Sequence, residues 1–134
     1  RKASAHYNID NDSIVQSVQT RDVAYAAPGM NRHGIHLEHA GFARQSVEEW
    51  LDPYSSAMLE LSAKLCAQVL CPKFDIPARL LSPEELRQVR NGADVRGFTT
   101  HAACTKAFGT VGGHTDPGGG FPLDWYMDLV EVFL

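Results

Sequence analysis

Alternation of apolar and polar side chains predicts three β-strands in the first third of the chain. Residues 5–10 alternate small or apolar residues with polar ones, Asn11-Asp12 supplies a turn, and residues 13–18 are β-branched and alternating. This pattern is typical of a β-hairpin. Residues 34–39 alternate Ile and Leu with His and Glu, which predicts a third strand with its polar side chains on one face.

Apolar residues at three- and four-residue spacing predict a long amphipathic helix after these strands. Residues 46–49, Ser-Val-Glu-Glu, form a capping box, and Asp52-Pro53 places a cap before a proline at the first helical position. The helix is expected to end near Pro72. The residues that recur at this spacing are Met58, Leu61, Leu65 and Val69, together with Leu59, Cys66 and Leu70, and Leu61, Leu65 and Val69 are expected to be core residues.

The second half of the chain predicts two more helices and a short strand. Residues 82–85, Ser-Pro-Glu-Glu, cap a short helix that ends near Arg90, and residues 97–100 form a strand that leads into His101. A last helix spans residues 122–133, with one face made by Trp125, Leu129 and Val132. The predicted fold class is α/β, with a mixed central sheet flanked by helices.

Composition narrows the functional classes. The chain has 134 residues, enough for one domain, and a formal net charge of -4, so it lacks the broad basic field of a nucleic-acid-binding protein. No apolar run approaches the roughly 20 residues that cross a bilayer, so membrane insertion is not expected. An odd number of cysteines argues against a complete disulfide framework and predicts buried free thiols at Cys66, Cys71 and Cys104.

The residues best suited to metal chemistry are His101, His114 and Asp116, which lie close together in the sequence with glycines around the last two. Neutral imidazole and carboxylate are ligands that suit zinc, and a catalytic zinc site keeps three protein ligands and one open position. Taken singly, a histidine after a strand is more often a structural hydrogen-bonding residue. An aspartate before Pro-Gly is more often a turn residue.

Glu38 lies on the same face of the third predicted strand as His36. It can serve as a general base beside a metal-activated water, or it can belong to the exposed polar face of an edge strand. His33, His36 and His39 recur at every third residue, so a strand places them on different faces. They make a poor set of metal ligands and are expected to be solvated.

These residues occur in an order that resembles the zinc-dependent N-acetylmuramoyl-L-alanine amidases of type 2. That family includes phage endolysin domains and is related to peptidoglycan recognition proteins, and the chain is most similar to the amidase domains of endolysins from phages of actinobacteria. The resemblance rests on residues 4–16, residues 23–26, residues 31–38, His101, and the segment from His114-Thr115-Asp116-Pro117-Gly118 to Phe121-Pro122.

The resemblance implies an amidase type 2 or peptidoglycan-recognition-like fold with a zinc cofactor. His101 and Asp116 would be zinc ligands, and Glu38 the catalytic carboxylate. His114 occupies a place where many relatives carry a lysine that stabilises the transition state, which suggests a catalytic role as a donor to the oxyanion. Three further residues would contact substrate: His6, Tyr25 and Asn31.

The resemblance also implies where this chain departs from its relatives. The family's first zinc-ligand histidine lies on a strand before the segment that matches His6, so residues 1–134 are expected to form an amidase domain without that strand. Ala5 stands where some relatives have tyrosine. Ala26 replaces the histidine of the aromatic-His segment.

The implied function is a peptidoglycan hydrolase that cuts the amide between N-acetylmuramic acid and the L-alanine of the stem peptide. As a phage lysin it would be made in the host cytoplasm and would act on the bacterial cell wall after release. The alternative is a non-catalytic module of the same fold that binds muropeptide without cutting it.

Overall fold

A three-stranded mixed sheet organises the first part of the molecule. The structure, a computed structural model, describes residues 3–109 and 114–134. Strands β1 (Tyr7–Ile9), β2 (Ile14–Gln16) and β3 (Leu37–His39) lie in the order β2-β1-β3. The sheet is mixed because β2 is antiparallel to β1 and β3 is parallel to it. The predicted α/β class is confirmed, although each strand is shorter than its sequence pattern.

The turn between β1 and β2 is organised by Asp10. Its carboxylate accepts hydrogen bonds from the backbone N–H groups of Asp12, at 3.1 Å, and Ser13, at 2.8 Å. An aspartate that bonds to the backbone two and three residues ahead supports a tight turn, so the predicted hairpin is confirmed.

The two faces of the sheet have different roles. Tyr7 and Ile9 are buried in the main core, where they pack with Leu37 of β3. Asn8 and Glu38 are paired across β1 and β3 and lie on the opposite face. Because strand residues alternate between faces, His6 and His36 belong to the same face as Glu38.

Six helices and one π-helical segment complete the described fold. The predicted caps are confirmed, because the side chains of Ser46, Asp52 and Ser82 each accept a backbone N–H of the first turn. The helices are α1 (Val47–Trp50), α2 (Pro53–Leu65), α3 (Cys71–Phe74), α4 (Pro83–Arg90), α5 (His101–Phe108) and α6 (Leu123–Phe133), with a π-helical segment at Cys66–Leu70 between α2 and α3.

The expected apolar face of the long helix was partly wrong. Val69 is 47% exposed, and Leu61 and Leu65 are only half-buried. The fully enclosed face carries Met58, Leu59, Ser62, Ala63, Cys66, Ala67 and Leu70. Leu61 and Leu65 precede the π-helical segment, so their position does not depend on it. The enclosed face includes Ser62 and Ala63, whose small side chains give little apolar signal in the sequence. The π-helical segment precedes Pro72, which has no N–H to donate and whose ring clashes with a regular preceding turn.

A helix begins at His101, directly after the segment that was predicted to be a strand. The segment 97–100 is not a strand, since it makes only an isolated bridge between Phe98 and Leu80. Thr100 instead caps α5, with its hydroxyl accepting from the N–H of Ala103 at 3.1 Å. Gly109 ends the helix in the left-handed conformation.

Two buried clusters hold these elements together. The larger lies between the sheet, α2, the π-helical segment and α6. Of α6, Tyr126, Met127 and Val130 are buried, whereas Trp125 and Val132 of the predicted face are exposed. The smaller cluster joins α4 and α5 to the loop before β3.

The three cysteines are buried and free, as predicted. Within the described residues, no helix has the length and apolarity that crossing a bilayer requires.

Candidate metal and catalytic site

The N-terminus of α5 positions the first site residue, His101. The backbone carbonyl of Asp116 accepts a hydrogen bond from the N–H of Ala102 at 3.0 Å. This bond ties the 114–118 segment to the first turn of α5, where the N–H groups of a helix have no partner within the helix. The positive end of the helix dipole also favours a carboxylate at this place.

The separation of His101 and Asp116 matches a pair of metal ligands. Nδ1 of His101 lies 3.2 Å from Oδ1 and 3.3 Å from Oδ2 of Asp116. Two ligand atoms of a tetrahedral zinc ion lie about 3.4 Å apart when each is about 2.05 Å from the metal. A charge-assisted hydrogen bond would be shorter, at about 2.7–2.9 Å. The geometry therefore suits two atoms that face a common ion.

His114 joins this pair. One donor atom from each of His101, His114 and Asp116 lies within 4.8 Å of the others. The two imidazoles are stacked, with ring centroids 4.7 Å apart and planes inclined by 16°. Two imidazoles and a carboxylate are a donor set that suits a catalytic zinc ion.

Glu38 approaches the same site from β3. Partial burial raises the pKa of Glu38, the nearby charge of Asp116 raises it further, and His101 lowers it. Glu38 on β3 therefore lies close enough to His101 on α5 and to Asp116 for their charges to change its pKa. A carboxylate with a raised pKa beside a metal-ligand set is a candidate general base, because its pKa is closer to the working pH.

His6 is buried and has no free ring nitrogen. It is 1% exposed, its Nδ1 accepts from the N–H of His36 at 3.0 Å, and its Nε2 lies 2.8 Å from the carbonyl oxygen of Asp22. The first bond fixes Nε2 as the protonated nitrogen. Both ring nitrogens of His6 therefore have partners within the protein, and the expected contact of His6 with substrate stays a prediction.

His36 lies beside His6 and near His101. Its ring stacks on His6 at 5.6 Å, and burial lowers the pKa of His36, with smaller effects from His6 and His101. Nε2 of His36 and Nε2 of His101 are both buried without a hydrogen-bond partner among the described residues. Orphaned buried nitrogens are typical of a site that water or a ligand completes. The expectation that His36 is solvated was wrong.

His39 points to the other face of the sheet, into the main core. Its Nε2 lies 2.6 Å from Oγ of Ser62, and that hydroxyl lies 2.7 Å from the hydroxyl of Tyr126. Burial lowers the pKa of His39 to about 4. Its expected solvation was also wrong, although the strand alternation that puts it on the face of Leu37 was visible in the sequence.

Tyr25 and Asn31 lie in the loop that packs against α5. Tyr25 is 53% exposed, so its ring is accessible to a ligand. The side-chain oxygen of Asn31 accepts from the N–H groups of Ala26, at 2.9 Å, and Ala27, at 2.8 Å. Asn31 thus closes its own loop, and its oxygen is occupied.

Gly118 and Gly120 pack the segment that carries Asp116 (the aspartate segment) against the backbone of Ala43 and Gln45, which follow β3. A Cβ atom at Gly118 would overlap the carbonyl oxygen of Ala43, and a Cβ atom at Gly120 would overlap that of Gln45. Gly118 also has a φ of +90°, which side-chain-bearing residues rarely adopt. The two contacts fix Asp116 relative to β3, and therefore relative to Glu38.

Comparison with known proteins gives one match. The family model described as N-acetylmuramoyl-L-alanine amidase matches residues 1–119 of the 134. No curated protein and no solved structure matches the chain.

Proposed function

Because the chain belongs to the N-acetylmuramoyl-L-alanine amidase family, we propose that it is a zinc-dependent peptidoglycan hydrolase. The bond cut is the amide between the lactyl group of N-acetylmuramic acid and the L-alanine of the stem peptide. The observation that carries this proposal is the convergence of Glu38, His101 and Asp116 from three separate segments.

The residues divide the chemistry between them. His101 and Asp116 hold the metal, and a bound zinc ion would polarise the scissile carbonyl and acidify a water molecule. Glu38 accepts the water's proton and returns it to the nitrogen of the leaving L-alanine. The water oxygen bonds to the carbonyl carbon, the C–N bond breaks, and the products are a lactyl carboxylate and a free amine.

Two accessible side chains, Tyr25 and Glu38, fit a polymeric substrate. Tyr25 is largely exposed in the loop against α5. The side chain of Glu38 has no hydrogen bond among the described residues, so its carboxylate is available to water and substrate.

We further propose that the protein acts as a phage lysin, made in the host cytoplasm and active on the cell wall after release. The resemblance to endolysin domains supports this role.

The test is to identify the bond that purified, zinc-loaded protein cuts in peptidoglycan. We expect new N-terminal L-alanine by amine labelling, without new reducing sugar ends. Glu38→Gln should retain zinc and the fold while lowering turnover about 10²–10⁴-fold, the scale of a general base. Glu60→Gln is the matched control, since Glu60 is an exposed glutamate on α2.

Other outcomes would redirect the assignment. New reducing ends without new amines would mean that a glycosidic bond is cut. Muropeptide binding without zinc or turnover would favour the alternative, a peptidoglycan-binding module of the same fold. Full turnover in a folded, zinc-loaded Glu38→Gln variant would remove Glu38 from the mechanism.

A further inference from the structure

An open cavity lies beside the aspartate segment, where the chain leaves β3. Its volume is about 570 Å³, which falls within the roughly 300–1,000 Å³ of small-molecule sites. Ala40, directly after β3, lines the cavity, and so does Gln45, against whose backbone Gly120 packs. The cavity therefore adjoins the segment that carries Asp116, and no step of the proposed mechanism uses it.

Two exposed aromatic rings line this cavity. Phe42 is 62% exposed and Tyr54 is 43% exposed. The backbone of Phe42 is fixed, because its N–H donates to Oε1 of Gln45 at 2.7 Å and its carbonyl accepts from the N–H of Gln45 at 3.0 Å. The guanidinium of Arg44 lies over the Phe42 ring, 4.7 Å from its centroid. Such fixed aromatic rings offer a ligand a large contact area at low entropic cost.

Two carboxylates of the cavity wall are held as hydrogen-bond acceptors. Oε1 of Glu49 accepts from the N–H of Ser46 at 3.0 Å, and Oδ1 of Asp52 accepts from the N–H of Ser55 at 2.7 Å. Within the described chain, the second oxygen of each carboxylate has no hydrogen-bond partner. The helix caps thus orient two acceptor oxygens that remain available to the hydroxyl groups of a ligand.

The charges of the cavity indicate the chemical class of that ligand. Arg44 makes no ion pair with any described residue, and it shares the cavity with Glu49 and Asp52. Charges of both signs offer donors and acceptors to a neutral ligand, whereas the free carboxylate at the end of a stem peptide would be repelled by the two acidic side chains. A sugar has hydroxyl groups at its rim and apolar C–H faces that pack on aromatic rings.

We infer that this cavity is a binding subsite for the glycan strand of peptidoglycan. Phe42 and Tyr54 contact the sugar rings, and Glu49 and Asp52 accept hydrogen bonds from their hydroxyl groups. The inference rests on the proposed function and deepens it, because the bond to be cut joins the stem peptide to that strand. A second contact beside the aspartate segment would hold the polymer while the amide is positioned for reaction.

The experiment measures binding of a neutral, peptide-free probe, the linear tetramer of N-acetylglucosamine, by NMR titration of the full chain with and without zinc. We expect a saturable shift in both forms. Phe42→Ala and Tyr54→Ala should each weaken the Kd about 10-fold or more, the scale of a central aromatic contact. Trp125→Ala is the matched control, since Trp125 is a 37% exposed aromatic residue on α6 that does not line the cavity.

The outcomes separate this inference from the proposed function, because tetramer binding requires neither zinc nor turnover. Circular dichroism establishes that each variant is folded. If the wild type did not bind the tetramer, or if folded Phe42→Ala and Tyr54→Ala bound it like the wild type, the subsite would be refuted even if the amide is cut. Binding of a sugar-free stem peptide that is lost in both variants would assign the cavity to the peptide and also refute it. Cavity-dependent tetramer binding without amide cleavage would support the subsite while the hydrolase proposal fails.

Discussion

The two carboxylates of the site are held in different ways. Asp116 is anchored through its backbone to α5, and its side chain faces Nδ1 of His101 at 3.2 Å. Glu38 is fixed only through β3, and partial burial and the charge of Asp116 raise its pKa. An anchored carboxylate suits a ligand, and an unpaired one with a raised pKa suits proton transfer. The same functional group can thus supply both roles.

His39 predicts a pH dependence of stability that is separate from catalysis. Burial lowers its pKa from 6.5 to about 4, and its neighbours Ser62, Tyr126 and Cys66 offer no compensating charge. Burial also raises the pKa of the Cys66 thiol to about 11, so that group stays neutral. Protonation of His39 is therefore favoured in the unfolded chain and opposed in the folded one.

The sign follows from proton binding. Between pH 6.5 and about 4 the unfolded state binds more protons than the folded state, so stability falls as the pH falls through this window. The full contribution is about 3 kcal/mol. In urea unfolding at several pH values, His39→Gln should lose less stability on acidification than the wild type. His33→Gln should keep the wild-type slope, and an unchanged slope in His39→Gln would contradict the assignment.

At the scale of elements, the turn at residues 118–120, here called the glycine turn, links the aspartate segment to the residues that follow β3. Gly118 lies against Ala43 and has a positive φ, whereas a Cβ atom at Gly119 would meet nothing within 4 Å. There is therefore room for a side chain at Gly119 but not at Gly118. Because Ala43 follows β3 closely, a shift of this turn would move Asp116 relative to Glu38.

Gly118→Ala should destabilise the fold by about 2 kcal/mol or more, through overlap with Ala43 and a strained backbone. It should also weaken zinc binding, because Asp116 lies two residues away. Gly119→Ala is the matched control and should change stability by less than about 1 kcal/mol. Urea unfolding and zinc titration of both variants test this, and equal behaviour would show that the turn does not position the site.

Local signals explain which elements were predictable. The caps at Ser46, Asp52 and Ser82 and the turn at Asp10 act over three residues, so the sequence specifies them directly. The buried face of α2 was only partly predicted, because it includes Ser62 and Ala63, whose small side chains give little apolar signal in the sequence. The cap at Thr100 was missed because the β-branched residues before His101 favoured a strand.

At the scale of the whole molecule, the site depends on contacts that sequence patterns do not encode. The parallel pairing of β1 with β3 joins segments about 30 residues apart, and it places Glu38 opposite Asn8. The approach of Glu38 to His101 and Asp116 then requires α5 and the glycine turn to pack correctly. Bare spacing identified His101, His114 and Asp116 as a group. The place of Glu38 beside them came from the family resemblance.

This convergence predicts that zinc stabilises the whole fold. A metal that binds the folded chain and not the unfolded one adds about 2.7 kcal/mol at a free concentration 100 times its Kd. The ligands come from α5 and the 114–118 segment, and the latter is docked beyond β3 through Gly118. Unfolding of the sheet, of α5 or of the glycine turn should therefore each release the ion.

We expect urea unfolding of the wild type to shift to higher urea with rising zinc and to return when a chelator is added. Asp116→Asn should lose most of this shift, while Asp94→Asn, at an exposed aspartate paired with Arg96, should keep it. A zinc-dependent shift that survives in Asp116→Asn would place the stabilising ion at another site, because the ligands assigned to it would then be dispensable.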